Sequence, residues 1–114
     1  RKIIAFSGLA KRSDALNKKI AQGVAGHFDF YYCKDIEPST PPKRRFTGPF
    51  MRKILIEEGV PEQAITVLTF GRDVIFEILD SCEPNDLLLL LVGHSESRNI
   101  PGYIQEYRAR VNDR

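Results

Sequence analysis

The sequence predicts an α/β fold, a three-layer sandwich in which helices cover both faces of a mostly parallel sheet of about four strands. Two observations predict it. Short apolar runs recur four times along the 114 residues, and a longer stretch with apolar residues at helical spacing follows each run. Strands that alternate with helices in this way are typical of a parallel sheet. The length predicts one domain, residues 1–114.

The first strand and helix lie near the start of the chain. Residues 2–7 form an apolar run rich in isoleucine, which predicts a buried strand that Gly8 ends. Ser13 is a candidate N-cap and Asp14 lies in the first turn, so a helix is predicted over residues 14–26. Its apolar face is predicted to contain Ala15, Leu16, Ile20, Val24 and Ala25.

The second strand is predicted at residues 28–33, where four aromatic residues occur and no glycine or proline interrupts the run. Residues 38–45 then contain three prolines and three consecutive basic residues, which indicates a surface loop. This loop either contacts a substrate or is a solvated connection. Thr47 is the predicted N-cap of the next helix, and Pro49 lies in its first turn.

The third strand is predicted at residues 65–70, and a helix follows Gly71 with Val74 and Ile78 on its buried side. The fourth strand, residues 87–92, is apolar at every position. Since a strand that is apolar on both faces belongs in the centre of a covered sheet, a central position is expected. The last helix begins at Pro101. Its inward positions are predicted to be Ile104, Tyr107 and Val111.

The predicted sheet order is 3-2-1-4, with right-handed crossovers. Ligands of such sheets bind beyond the carboxyl ends of the strands, at the switch point beside the first strand. The exit loops of the first and fourth strands therefore face one crevice, and the second strand ends nearby. The candidate binding residues in these loops are Lys11, Arg12, Asp14, Asp35, His94 and Glu96.

The chemistry of these side chains favours a charged small molecule. Cations near a helix N-terminus suit a phosphate or a carboxylate, and carboxylates suit an ammonium or guanidinium group. Together they could bind an amino acid or part of a nucleotide. His94 is interpreted as a surface residue or hydrogen-bond partner, with an acid–base pair between His94 and Glu96 as the alternative. No catalytic residue and no metal ligand is assigned.

Composition excludes several classes of protein. A net charge of +2 and an isoelectric point near 8.6 do not indicate a nucleic-acid binder. The longest apolar run is too short to span a bilayer, so no membrane contact is expected. Cys33 and Cys82 lack metal-binding spacing, and a reduced pair in the cytoplasm is favoured over a disulfide. The chain has neither a Walker A loop nor a GxGxxG motif.

A resemblance to a known family rests on several motifs in a fixed order. The stretch Ala10-Lys11-Arg12-Ser13-Asp14 corresponds to a Gly-Asp-Arg-Arg-Asp loop, with Arg12 and Asp14 at matching positions. Residues 55–59 match a helix of the family that ends in acidic residues and a glycine, and Pro61-Glu62 matches the Pro-Glu step that follows it. The turn at residues 84–86 corresponds to a Pro-Gly-Asp turn before an all-aliphatic strand. In these features the chain resembles the C-terminal domain of the Mur ligase family, and within it most of all the cyanophycin synthetases.

The resemblance implies a Rossmann-like fold and a function. Mur-type ligases use ATP to activate a carboxylate as an acyl phosphate, which an amine then attacks to form an amide. A central domain carries the P-loop and the magnesium ligands, and the C-terminal domain closes over it to hold the amino acid and the nucleotide. The chain is therefore expected to be a domain of a larger ligase, with ATP and Mg as cofactors. Its start at a strand, without Met, agrees with that expectation.

The resemblance also implies roles for individual residues. Asp35 matches an acid that often follows the second strand in the family. His94 and Glu96 lie in a loop that is similar to the Gly-Lys-Gly-His-Glu loop of peptidoglycan ligases. The expected partners are the central ATPase domain and an amino-acid substrate. The alternative function is a non-catalytic docking or oligomerisation module that uses residues 38–45 as an interaction arm. In that case the chain is expected to form a homo-oligomer.

Overall fold

The computed structural model describes residues 1–7, 14–35, 47–91 and 97–113. Within these residues, four strands and four helices alternate along the chain. The elements are β1 (Lys2–Ser7), α1 (Asp14–Val24), β2 (Phe30–Lys34), α2 (Thr47–Glu57), β3 (Ile65–Leu68), α3 (Arg72–Ser81), β4 (Leu87–Leu91) and α4 (Ile100–Asn112). A single 3-10 turn, Glu62–Ala64, leads into β3.

The four strands form one parallel sheet in the order β3-β2-β1-β4. Ile4 in β1 lies between Tyr31 of β2 and Leu89 of β4. The predicted fold class and strand order are confirmed. Apolar side chains on β1 alternate between the two faces, as the period of two in a strand requires, so this strand contributes to both halves of the core.

Each face of the sheet packs against a different pair of helices. On one face, Ile4 and Phe6 join Ala21 of α1 and Met51 and Leu55 of α2 in a single apolar cluster. We call this the α1–α2 face. The opposite face, the α3–α4 face, is built from β-strand residues together with side chains of α3 and α4. Its members include Ala5, Val74, Ile75, Ile78, Leu88, Leu90, Ile100 and Tyr103.

β2 begins two residues later than the sequence predicts, because the hydroxyl of Tyr31 holds the preceding turn. That hydroxyl accepts the N–H groups of Gly26, at 2.8 Å, and Phe28, at 3.2 Å. It also donates to the carbonyl of Val24, at 3.1 Å. Phe28 therefore belongs to the turn after α1, where Gly26 has the positive φ of 82° that glycine adopts most readily.

The central position expected for the leucine strand is wrong. β4 is an edge strand of the described sheet, and Leu87, Leu89 and Leu91 are 61%, 42% and 42% exposed. Leu88 and Leu90 pack beneath α3 and α4. On the α1–α2 face, none of the described helices covers β4, because the cluster on that face contains residues of β1, β2 and β3 but none of β4. An apolar sequence therefore does not show by itself that helices cover both faces of a strand.

Two helices bury residues that differ in part from those expected. In α1, Ile20, Val24 and Ala25 pack against the core as predicted. The completely buried residues are Asn17 and Ala21, whereas Ala15 and Leu16 are exposed, because they lie off the stripe that faces the sheet. In α4, Ile104 and Tyr107 are half-buried as expected, but Val111 is 38% exposed. This helix buries none of its residues completely, although Ile100 and Tyr103 join the apolar cluster of the α3–α4 face.

None of the described helices is both long enough and apolar enough to cross a membrane.

Candidate functional site

The strand order creates a switch point between β1 and β4. The chain leaves β1 at Ser7 toward α1 on one face, and it leaves β4 at Leu91 toward α4 on the other face. Connections that diverge to opposite faces open a crevice beyond the carboxyl ends of two neighbouring strands. This carboxyl edge is therefore the candidate site, as the sequence predicted.

The structure describes two of the six predicted binding residues. Asp14 is the first residue of α1, at the carboxyl end of β1, and it is exposed. Asp35 follows the last residue of β2 and is 5% exposed. The other four lie outside the described residues, so their binding roles stay predictions. They are Lys11, Arg12, His94 and Glu96.

Asp35 caps the first turn of α2 from the end of the neighbouring strand. Its Oδ1 accepts the backbone N–H of Gly48 at 2.9 Å, and its own N–H donates to the carbonyl of Leu68 at 3.0 Å. A carboxylate is favourable there because the first N–H groups of a helix have no partner within the helix and carry a partial positive charge. One oxygen of Asp35 is therefore occupied by the fold, and a substrate amine would have to contact Oδ2.

A second hydrogen bond fastens the same helix to the same strand. The hydroxyl of Thr47 donates to the carbonyl of Lys34 at 3.2 Å. The residues that flank the undescribed segment 36–46 are therefore linked to each other, because the end of β2 and the start of α2 share two side-chain hydrogen bonds. The sequence motif Thr47-Gly48-Pro49 predicted a helix start at this position, but not its attachment to β2.

Gly48 allows α2 to approach the sheet closely, and sequence reasoning missed this role. A Cβ atom on Gly48 would lie 2.8 Å from the carbonyl oxygen of Cys33 and 3.0 Å from Oδ1 of Asp35. It would also lie 3.0 Å from Cγ1 of Val67 on β3. Only glycine fits between a helix and two strands at these separations. The sequence contained one indication of this role, because glycine is unfavourable inside a helix and Gly48 lies in the first turn of α2.

Buried polar side chains concentrate at the carboxyl edge. Among the described residues, four polar or charged residues are buried, and all belong to segments that meet there. They are Asn17, Lys34, Asp35 and Thr47. Lys34 is 1% exposed and lies beside Ser7 in the sheet register. No buried side-chain nitrogen or oxygen among the described residues lacks a hydrogen-bond partner.

This concentration distinguishes the edge from the rest of the core. Burying a charged group is costly unless it is paired or hydrogen-bonded, so a core normally keeps such groups outside. Here the fold accepts several of them at one end of the sheet, which is the end where α/β proteins bind ligands. Sequence reasoning missed Asn17, although its position on the stripe shared with Ala21 and Val24 was a usable signal.

α4 is the helix that follows β4 and its exit loop, and it packs on α3. The hydroxyl of Tyr107 donates to Asp80 at 2.6 Å, and the guanidinium of Arg110 lies 5.0 Å from the ring centre of Phe76. These groups line a cleft of about 280 Å³ between the two helices. Because Arg110 of α4 and Arg72 of α3 both place a guanidinium over the Phe76 ring, the cleft is explained as a helix contact.

The two thiols are free and do not resemble nucleophiles. Cys33 is buried, and burial raises the pKa of its thiol to about 12. Cys82 is half-buried, and burial, with a smaller contribution from the charge of Asp86, raises its pKa as well. Both are therefore neutral thiols near pH 7, whereas a reactive cysteine needs the thiolate.

No known protein family matches the sequence, and a search of curated proteins found no similar sequence. The arguments for a function are therefore the strand order, the buried polar groups at the carboxyl edge and the motifs of the exit loops.

Proposed function

We propose that this chain is the C-terminal domain of an ATP-dependent, amide-forming ligase of the Mur and cyanophycin synthetase type, acting in the cytoplasm. The observation that carries the proposal is the switch point between β1 and β4. The loops with the Mur-like motifs begin at these two neighbouring strand ends, directly after Ser7 and Leu91. A domain that holds an amino acid against a second domain needs such an edge.

The role of the chain in this proposal is to position reactants. Lys11 or Arg12 binds a phosphate or the carboxylate of the incoming amino acid, and Asp14 or Glu96 binds its amine or guanidinium group. Asp35 contributes through Oδ2, since Oδ1 is bound to Gly48. Holding the amine beside an activated carboxylate converts a bimolecular step into an effectively unimolecular one, and domain closure excludes water.

ATP and magnesium belong mainly to the central domain in this proposal, where ATP supplies the phosphoryl group that activates the carboxylate. Among the described residues, the carboxyl edge of this chain contains two carboxylates, Asp14, which is exposed, and Asp35, whose Oδ1 accepts the N–H of Gly48. These groups suit an ammonium or guanidinium ligand.

Calorimetry on the full-length parent protein tests the proposal, with ATP–magnesium and a panel containing Asp, Arg, Lys and Glu. We expect ATP and one amino acid to bind together. Arg12→Ala and Asp14→Asn should each weaken amino-acid binding about tenfold or more, as expected for the loss of a charge-assisted contact worth about 1.5–3 kcal/mol. Lys53→Ala, on the exposed side of α2, is the matched control and should change nothing.

Two results would contradict the ligase proposal. One is that the parent binds neither ATP nor any amino acid of the panel. The other is ATP-dependent ligation by the 114 residues alone, because the proposed domain only positions reactants. An upstream reading frame with a Gly-Lys-Thr or Gly-Lys-Ser loop would support the proposal independently.

The second candidate function is a non-catalytic oligomerisation module, and the exposed edge strand favours it. Leu87, Leu89 and Leu91 form an apolar row that the described helices leave uncovered. An upstream sequence without a P-loop would favour this candidate over the ligase.

A further inference from the structure

We propose that β4 is a self-association surface through which two copies of this chain pair edge to edge, antiparallel, about a two-fold axis at Leu89. The inference does not depend on the ligase proposal, because it concerns the edge of the sheet and not the carboxyl ends of its strands.

The first argument is that the described strands leave the outer hydrogen-bonding edge of β4 unpaired. Leu87 donates its N–H to the carbonyl of Arg1 at 2.9 Å, so this residue faces the β1 side. In a parallel pair, alternate residues of a strand bond to the same neighbour. Leu89 and Leu91 therefore also face β1, and Leu88 and Leu90 direct their N–H and C=O groups outward. None of the described strands pairs with that side.

The second argument is that β4 lacks the features that normally protect an edge. Exposed edge strands usually carry a charge, a proline or a bulge that prevents pairing with another chain. β4 consists of five leucines without any of these. At its amino end, Asp86 is neutralised by the guanidinium of Arg1 at 2.7 Å, so no uncompensated charge opposes approach there.

The third argument is that β4 matches itself when reversed. Five identical residues read the same in both directions, so an antiparallel copy meets an equivalent side chain at every position. With the axis at Leu89, Leu88 lies opposite Leu90 of the second copy, and their outward groups form hydrogen-bonded pairs. The exposed rows then lie on the same face, because a register centred on Leu89 preserves the alternation of side chains.

The size of the surface determines the expected strength. A standard interface uses roughly 20–30 residues from each partner, whereas β4 supplies five. The contact is therefore expected to be weak and dependent on protein concentration. An isologous two-fold pair is also the commonest form of homo-oligomer.

Sedimentation equilibrium of the 114-residue chain over a range of concentrations tests the proposal. We expect a monomer–dimer equilibrium whose dissociation constant rises at least tenfold in Leu89→Lys, because two ammonium groups would meet at the axis. Thr66→Lys is the matched control. Thr66 lies on the opposite edge strand, β3, and is exposed. It should leave the equilibrium unchanged, and circular dichroism checks that both variants fold.

Cross-linking tests the register even if the lysine variant fails to fold. A non-hydrogen-bonded antiparallel pair has Cα atoms about 4.5 Å apart, within the range of about 4.4–6.8 Å that a disulfide spans. Leu89→Cys in a Cys82→Ser background should therefore form a covalent dimer on oxidation, and Thr66→Cys in the same background should not. A chain that stays monomeric at every concentration, a dimer unaffected by Leu89→Lys, or a Leu89→Cys variant that does not cross-link would overturn the proposal.

Discussion

Asp35 has a structural role, capping α2, that its position in the sequence did not predict. Its position directly after β2 made it a candidate for binding a substrate amine. In the structure, its Oδ1 accepts the N–H of Gly48, and the residue is 5% exposed. A buried carboxylate that caps a helix contributes to stability whether or not a ligand is present, so stability measurements can separate the two roles.

We expect Asp35→Ala to lower the free energy of unfolding by about 1–3 kcal/mol, because it leaves a buried N–H without its acceptor. Asp35→Asn retains an acceptor oxygen and should cost less. Denaturant unfolding measures both. Asp73→Ala is the control, since Asp73 is also an acid in the first turn of a helix but its side chain is 90% exposed. If Asp35→Ala were as mild as the control, the capping role would be contradicted.

At the scale of elements, α1 and α2 differ in how closely they approach the sheet. Both contain a glycine, but the surroundings of the two glycines are opposite. A Cβ on Gly48 in α2 would lie 3.0 Å or less from three atoms of β2, β3 and Asp35, whereas a Cβ on Gly23 in α1 would meet nothing within 4 Å. Helix propensity alone would predict the same effect of alanine at both positions.

The structure instead predicts effects of opposite sign. Gly23→Ala should stabilise the chain by roughly 0.5–1 kcal/mol, because alanine loses less conformational freedom than glycine when a helix forms. Gly48→Ala should destabilise it by about 1–3 kcal/mol, because the added methyl group pushes α2 away from the sheet. Chemical denaturation of both variants measures the two signs. Stabilisation by Gly48→Ala would show that α2 does not pack as closely as described.

At the scale of the whole molecule, an ion pair joins two segments that are distant in sequence. Asp86, in the turn before β4, accepts two hydrogen bonds from the guanidinium of Arg1, at 2.7 and 3.1 Å. It also accepts the N–H of Glu83 at 2.7 Å. The hydrogen bonds from Arg1, followed by the one from Glu83, hold the pKa of Asp86 well below its usual range. The pair therefore couples the start of β1 to the start of β4.

This shift predicts how stability depends on pH. Because the folded chain holds the pKa of Asp86 below its unfolded value of 3.8, the stabilisation is complete above that value and is lost as the pH falls through the folded pKa. The free energy of unfolding should therefore fall below about pH 4. Asp86→Asn should be less stable than the parent near pH 7 and should show a smaller decrease in acid.

Glu83→Gln is the control for the pH experiment. The Glu83 carboxylate lies 3.8 Å from Arg1, its side chain is 69% exposed, and a surface pair of this kind contributes little. The variant should therefore retain the acid dependence of the parent. If Asp86→Asn retained it as well, other carboxylates would be responsible.

For much of the site, the sequence predicted where it lies in the fold but not what each residue does there. The carboxyl edge, Asp14 and Asp35 followed from the strand order and the loops, and the order itself is confirmed. The roles of Asn17 and Gly48 could not be predicted in this way. Whether a polar side chain on a helix faces solvent or sheet, and whether a glycine touches a strand, depends on how the helix lies against residues that are distant in the chain.

The sequence by itself determined the type and order of the elements, because strand and helix formation depend on local apolar spacing and on turn residues such as Gly26. Only the tertiary structure decided which apolar surfaces are covered. Five leucines are equally apolar, yet Leu88 and Leu90 pack under α3 and α4 while Leu87, Leu89 and Leu91 are exposed. Burial depends on neighbours from elsewhere in the chain, and the composition of a strand contains no information about them.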